Sequence, residues 1–219
     1  MVLVDDLVNA EVLAHCSQAR IVHVGKRGGC KSTPQNFINR MLVSLAEQGQ
    51  QVVRLKGGDP FLFGRGGEEM LALRDAGIDC EVISGVTSGI AVPARMGIPV
   101  THREFTHGVT MVTGHTQDGG PLNWQALVAG KTTLVIYMGI RNVAEIVREL
   151  LAAGMEQDMP AIAIQHGTLQ GERSVRSPLA MLPLAVHQEK LESPAIIVIG
   201  DVVRLAKTEN LLAALEAAA

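Results

Sequence analysis

Short apolar runs separated by small-residue breaks set the rhythm of the first hundred positions. Val2, Leu3 and Val4 form one run, residues 20–24 a second, Val52, Val53 and Leu55 a third, and Glu81, Val82 and Ile83 a fourth. Each is too short for a helix, rich in β-branched side chains and closed by glycine or polar residues, which predicts buried strands. Between them the spacing turns helical. Asn9 is placed to cap a helix that runs through Cys16. Thr33 as N-cap and Pro34 at the first helical position open another, with Phe37, Ile38, Met41, Leu42 and Leu45 as its buried stripe and Gly49 as its stop. A third helix spans residues 68–76 and is closed by Gly77, and a short one contains Pro93.

The pattern changes near residues 103–107. Beyond them, apolar runs at 109–113, 133–137, 161–165 and 195–199 read as strands, residues 174–176 as an alternating edge strand, and 141–153 as a helix. Residues 211–219 read as a loosely packed helical tail. The expectation is an α/β protein of two domains: residues 1–104 around a parallel sheet, and residues 105–219 around a mixed one.

Composition sharpens this picture. Apolar residues make up 47% and aromatics 3% of the 219 residues, so the core is built from Val, Ile, Leu, Ala and Met, the palette of parallel-sheet α/β folds. A net charge of −3, with no long run of one sign, excludes the basic footprint of a nucleic-acid binder. No apolar run reaches the ~18 residues of a membrane span, and Met1-Val2-Leu3-Val4-Asp5-Asp6 has no basic signal-peptide start. Cys16, Cys30 and Cys80 are odd in number and lack Cys-x-x-Cys spacing, which reads as reduced thiols in a cytoplasmic protein.

The candidate chemistry centres on residues 52–69. A strand ends in Lys56-Gly57-Gly58-Asp59-Pro60, and a second break, Gly64-Arg65-Gly66-Gly67, leads to Glu68-Glu69, the acidic first turn of a helix. Paired glycines let a backbone approach a ligand closely, and α/β proteins bind ligands beyond the carboxyl ends of their strands. Ser84-Gly85-Val86-Thr87-Ser88-Gly89 is a second small-residue loop of this kind. Cations gather after successive strands: Lys26, Arg27 and Lys31, then Lys56 and Arg65, then Arg103 beside His102. That grouping predicts a positive cleft for a ligand carrying several carboxylates or phosphates. Residues 25–32 nearly match a phosphate-binding P-loop, but Cys30 stands where its second glycine belongs. The seven histidines show no metal-ligand spacing, and no Gly-x-Ser-x-Gly nucleophile context occurs. The chemistry expected is transfer between two bound small molecules, driven by positioning and without a metal.

Several motifs carry a resemblance along the whole chain. They are Val-Gly-Lys-Arg-Gly-Gly at 24–29, Arg-Leu-Lys-Gly-Gly-Asp-Pro-Phe-Leu-Phe-Gly-Arg-Gly-Gly-Glu-Glu at 54–69, Gly-Val-Thr-Ser at 85–88 and Gly-Ile-Pro-Val-Thr-His-Arg at 97–103. Val-Thr-Gly-His at 112–115, Tyr-Met-Gly at 137–139, His-Gly-Thr at 166–168 and Ser-Pro-Ala-Ile-Ile-Val-Ile-Gly-Asp-Val-Val at 193–203 extend it. Together they resemble the uroporphyrinogen-III C-methyltransferases, S-adenosylmethionine-dependent tetrapyrrole methylases. The resemblance implies two α/β domains with the active-site cleft between them, usually in a homodimer. It also implies C-methylation of uroporphyrinogen III at C2 and C7 to precorrin-2, which feeds sirohaem, cobalamin or haem d1.

By the same resemblance, Gly57, Gly58, Asp59 and Leu62 match cofactor-contacting positions, as do Thr87, Ser88, Met138 and Gly167. Asp5 matches the proton acceptor and Lys26 the proton donor; Arg65, Glu68 and Arg103 match the substrate pocket, Arg65 with a catalytic part as well. S-adenosylhomocysteine would be the product of the methyl donor. Members of the family begin with a further strand and a Gly-x-Gly-Pro-Gly-Asp-Pro loop ahead of the segment matching residues 2–4, which this sequence lacks. The expectation is weak binding of S-adenosylmethionine and an exposed sheet edge prone to self-association. A later-step cobalamin-precursor methylase and a catalytically silent tetrapyrrole-binding module remain open at this point.

Overall fold

The structure is a computed structural model and describes residues 1–25, 33–114, 120 and 122–206. The chain divides into two compact units, Met1–Thr87 and Ser88–Ala219. Helix α3 (Ser88–Arg95) packs on the second unit's sheet, whereas the change of pattern in the sequence falls later, near residue 104.

The first unit is a parallel sheet of β1 (Val2–Val4), β2 (Ile21–His23) and β3 (Val53–Leu55), in the order β2-β1-β3. The central strand β1 is buried along its length, as its uninterrupted apolar run requires. Leu3, Val24, Ile38 and Leu42 form the core beneath helix α1 (Gln35–Glu47). Helix α2 (Gly66–Asp75) packs beside α1. Asn9 caps as expected, its side chain accepting from the Glu11 N–H at 3.0 Å, but the helix it starts, Ala10–Cys16, is of the tight 3₁₀ kind.

Four expectations for this unit need correction. Pro34 itself occupies the N-cap of α1, with no side-chain cap, so Thr33 stands one place too early for that role. Phe37 is exposed rather than buried, because it lies at the margin of a stripe whose centre is Ile38 and Leu42. Residues 81–83 form no strand. A strand needs a ladder partner, and among the described residues this segment has none; Ile83 is 74% exposed. Likewise β3, expected to be buried, leaves Val53 half exposed, since only its β1 side is paired among the described residues.

The second unit is a five-stranded mixed sheet of β4 (Val109–Thr113), β5 (Thr133–Tyr137), β6 (Pro160–Gln165), β7 (Arg173–Pro178) and β8 (Ala195–Ile199), ordered β4-β5-β8-β6-β7. β4 and β5 run parallel; β8 is antiparallel to both β5 and β6, and β7 is the antiparallel edge. All five residues of β5 are buried, and helices α5 (Val143–Ala152) and α6 (Leu182–Gln188) cover one face through Ile146, Val147, Leu150, Leu182 and Val186. Helix α4 (Trp124–Ala129), capped by Asn123, completes the set. Among the described residues, no helix is long and apolar enough to cross a membrane.

Candidate active site

In the first unit the three strands are parallel, so their carboxyl ends lie at one edge of the sheet. Asp5 follows β1 there and Lys56-Gly57 follows β3. Their register puts Val4 opposite Leu55, and the Asp5 N–H donates to the Leu55 carbonyl at 3.0 Å. Asp5 is therefore held beside the glycine loop by backbone pairing.

That loop is shaped by close backbone approach. A Cβ at Gly57 would lie 2.7 Å from the Leu7 carbonyl oxygen, and Gly58 has φ +73°. Asp59 closes the loop: its Oδ1 accepts from the Phe61 N–H at 2.8 Å and its Oδ2 from the Gly85 N–H at 3.2 Å. Gly85 sits so near Gly58 that an added Cβ would collide with the Gly58 carbonyl oxygen. The loops at 57–59 and 85–87 are thus clasped backbone to backbone, with Thr87 buried. Such a side-chain-free cradle suits a ligand contacted largely through main-chain groups, as a nucleoside-bearing methyl donor would be.

Beside the cradle, Arg65 takes the left-handed conformation (φ 59°) at the start of α2, and its guanidinium forks onto Glu68: Nε to Oε1 at 2.9 Å and Nη2 to Oε2 at 2.8 Å. That hydrogen-bonded guanidinium, against an opposing effect of burial, holds the Glu68 carboxyl below its ordinary value. Both side chains are more than half exposed. Such an exposed pair contributes at most about 1 kcal/mol to stability.

The sequence expectation that Lys56 faces a ligand is corrected. Its side chain is only 6% exposed and turns inward, with Nζ 3.4 Å from Asp5 Oδ2 and 3.4 Å from Glu69 Oε2. Arg54, two residues earlier on the same strand face, joins it: Nη2 lies 3.2 Å from Asp5 Oδ2 and Nε 3.0 Å from Glu69 Oε1. Sequence reasoning missed Arg54 and Glu69. The available signal was the period-two placement of Arg54 and Lys56, which commits two cations to one face of a short strand. Burial pushes the Asp5 carboxyl up, but the Arg54 and Lys56 charges and the Asp6 N–H outweigh it and hold Asp5 below its ordinary value. Asp5 is therefore a carboxylate at any physiological pH.

The sign of this shift gives a stability prediction. A depressed native pKa contributes stability that is complete above the ordinary Asp value, near 3.8, and is lost as pH falls through the native value. Asp5→Asn should melt lower than the wild type at pH 7, and the gap should narrow as pH falls below the ordinary Asp value and through the depressed native one. Thermal melts across pH 2.5–7 check this; a gap independent of pH would refute it.

In the second unit, three expected site residues lie on structurally tied loops. Met138 follows β5 with φ 55° and is half exposed, and Gly139 behind it is packed against Ile136 and Ile146. Gly167 follows β6 between His166 (φ 50°) and Thr168 (φ 71°), and a Cβ there would run into Val92 of α3. Non-glycine residues in the left-handed region cost free energy and cluster at ligand sites. Ser88 begins α3, and the next residue, Gly89, donates its N–H to the buried Tyr137 Oη at 2.7 Å. That bond ties Ser88 to the end of β5, immediately before Met138. Tyr137→Phe strands the buried Gly89 N–H and should cost about 1–3 kcal/mol in urea denaturation; an unchanged midpoint would show the bond to be dispensable.

Arg103 lies in the exposed turn closed by His102 and Thr106 and makes no ion pair among the described residues. Leu62 is half-buried in the loop after Asp59. Lys26, expected as a proton donor, lies outside the described residues, as do Arg27, Cys30, Lys31 and the tail. No cluster of three or more His, Cys, Asp or Glu able to hold a metal occurs among the described residues.

A two-unit α/β chain with a clasped glycine loop beside an ionised aspartate fits the class of S-adenosylmethionine-type methylases. The sequence profile of the tetrapyrrole (corrin/porphyrin) methylases matches residues 1–183, and the chain belongs to that family. It is 53% identical to the uroporphyrinogen-III C-methyltransferase of Pseudomonas aeruginosa, over 93% of this chain and 83% of that one. The siroheme synthase of Chromobacterium violaceum is 45% identical over 94% of this chain, which spans 44% of that longer protein. Among solved structures, the uroporphyrin-III C-methyltransferase of Thermus thermophilus, complexed with S-adenosylhomocysteine, superposes with a TM-score of 0.76 at 37% identity. It covers 93% of this chain and 86% of its own.

Proposed function

We propose that this protein transfers methyl groups from S-adenosylmethionine to uroporphyrinogen III, at C2 and C7, giving precorrin-2 for sirohaem, cobalamin or haem d1 synthesis. The observation that supports this most is the 53% identity, along nearly the whole chain, to a protein of that name. The resemblance assigns the roles. Gly57, Gly58, Asp59, Leu62 and Thr87, with Ser88, Met138 and Gly167, are the cofactor contacts. Arg65, Glu68 and Arg103 receive the substrate, whose many carboxylates match exposed guanidinium groups. Lys26 is the proton donor of the scheme.

The cofactor brings a methyl group on a sulfonium, already electrophilic. What remains for the protein is to hold a nucleophilic pyrrole carbon in line with it, and such positioning can lower a barrier by several kcal/mol. Each transfer adds one positive charge to the macrocycle, discharged by loss of a proton. Asp5, ionised and at the carboxyl edge of the sheet, accepts it. Its lowered pKa suffices, because a positively charged macrocycle is itself strongly acidic. The resemblance further implies a homodimer in the cytoplasm, which sedimentation tests for the oligomer.

The experiment is an anaerobic assay with uroporphyrinogen III and millimolar S-adenosylmethionine. Red-fluorescent methylated product with matching S-adenosylhomocysteine is expected. A folded protein that binds both molecules and forms neither product would reduce the reading to a silent tetrapyrrole-binding module.

A further inference from the structure

The ion cluster behind Asp5 has a feature that holding α2 on β3 does not require. Glu69 is the most deeply placed of its carboxylates, 5% exposed against 35% for Asp5. Its Oε1 accepts from Arg54 Nε at 3.0 Å, from Gln35 Nε2 of α1 at 3.0 Å and, at the limit of 3.5 Å, from Lys56 Nζ. Both cations that face Asp5 therefore also face Glu69. The remaining Arg54 donor, Nη1, goes to the carbonyls of Leu3 and Leu55, which fixes the guanidinium plane. Gln35 is steadied in turn by Asn39 Oδ1 at 2.9 Å.

The charges on Arg54, Lys56, Asp5 and Glu69 sum to zero, as burial demands. They divide unequally in their surroundings. Glu69 is enclosed, while Asp5 meets the cations through Oδ2 and the Asp6 N–H through Oδ1, and keeps an exposed face. Without Glu69 the whole field of two cations would fall on Asp5, and a carboxylate that tightly held is a poorer proton acceptor.

We propose that Glu69 is a positioning residue for Asp5: by sharing Arg54 and Lys56 it fixes them on one side of the Asp5 carboxylate and moderates their pull, leaving Asp5 basic enough to take the proton. This rests on the reading of Asp5 as proton acceptor. Among the described residues, the groups that face Asp5 are Arg54 of β3, Lys56 just after it and the neighbouring Asp6 N–H, with Glu69 of α2 behind the cations.

Glu69→Gln tests it, keeping the shape and the oxygen that Arg54 needs while removing the charge. The titration of Asp5 is followed by carboxyl ¹³C NMR, with the resonance assigned from Asp5→Asn. In Glu69→Gln, Asp5 should titrate at lower pH than in the wild type. The acid limb of kcat should move down with it, and kcat at pH 7 should fall about threefold to tenfold with KM for S-adenosylmethionine within twofold. Glu69→Asp, which retains the charge on an arm too short to hold both cations as closely, should recover most of the rate and lower the Asp5 titration by a smaller step than glutamine does; that smaller step is the test if the glutamine variant does not fold. An unmoved Asp5 titration in a folded variant overturns the proposal and leaves Glu69 a structural staple. A shifted titration together with full activity in Asp5→Asn instead overturns the proton-acceptor reading, with the electrostatic coupling intact.

Discussion

Asp5→Asn lowers kcat for methylation of uroporphyrinogen III by about 10²–10⁴-fold while leaving S-adenosylhomocysteine affinity within about threefold, since a single proton-transfer group typically supplies that range. Asparagine keeps the size and can still accept from the Asp6 N–H, and Arg54 and Lys56 keep Glu69 as a partner. The substitution therefore removes the charge and basicity of Asp5 with little else. Single-turnover rates at saturating donor, beside calorimetric titration with S-adenosylhomocysteine, separate chemistry from binding. A loss in affinity as large as the loss in rate would make Asp5 a ligand contact instead.

Gly85→Ala is the second large effect expected. The added methyl would fall on the Gly58 carbonyl oxygen, a backbone atom that cannot swing aside as a side-chain tip can. The loop carrying Gly57, Gly58 and Asp59 must move, and forced repacking of this kind costs about 1–3 kcal/mol. Because that loop is the proposed cofactor cradle, S-adenosylhomocysteine affinity should fall about tenfold to a hundredfold by calorimetry. Gly67→Ala is the matched control: a Cβ there meets nothing, so affinity should stay at the wild-type value. Equal affinities in all three proteins would remove the 57–59 loop from the site.

Much of this arrangement is legible in the sequence, and what is not has physical reasons. The runs that became β1, β5, β6 and β8 are continuous and apolar because both faces or both edges are covered, and no other element suits them at that length. Residues 81–83 look similar but find no ladder partner among the described residues, since a strand is a property of two segments and only one is visible locally. Helices α4 and α6 span six and seven residues, too few for a 3.6-residue period to declare itself.

The glycine loop was legible for a similar reason to the strands: Gly57, Gly58 and Gly85 stand where any Cβ would be costly, so the residue type carries the geometry. The ion cluster was not. Period two places Arg54 and Lys56 on one face, but their partners come from a strand end far earlier in the chain and from a helix turn after the loop. Nothing local distinguishes Lys56, which is buried between two carboxylates, from Arg65, which is exposed and paired with Glu68; in the sequence both look like cations waiting for an anion. The Tyr137–Gly89 bond likewise depends on how α3 meets β5.

The most direct test of the central claim is to incubate uroporphyrinogen III with the protein and S-adenosylmethionine labelled with ¹³C in its transferable methyl group, under reducing conditions, and to read the tetrapyrrole by ¹³C NMR. Two labelled methyl groups, on ring carbons C2 and C7, with two equivalents of S-adenosylhomocysteine released, are the predicted result. A folded protein that binds the donor yet leaves the tetrapyrrole unlabelled, or labels it at other carbons, would contradict the account.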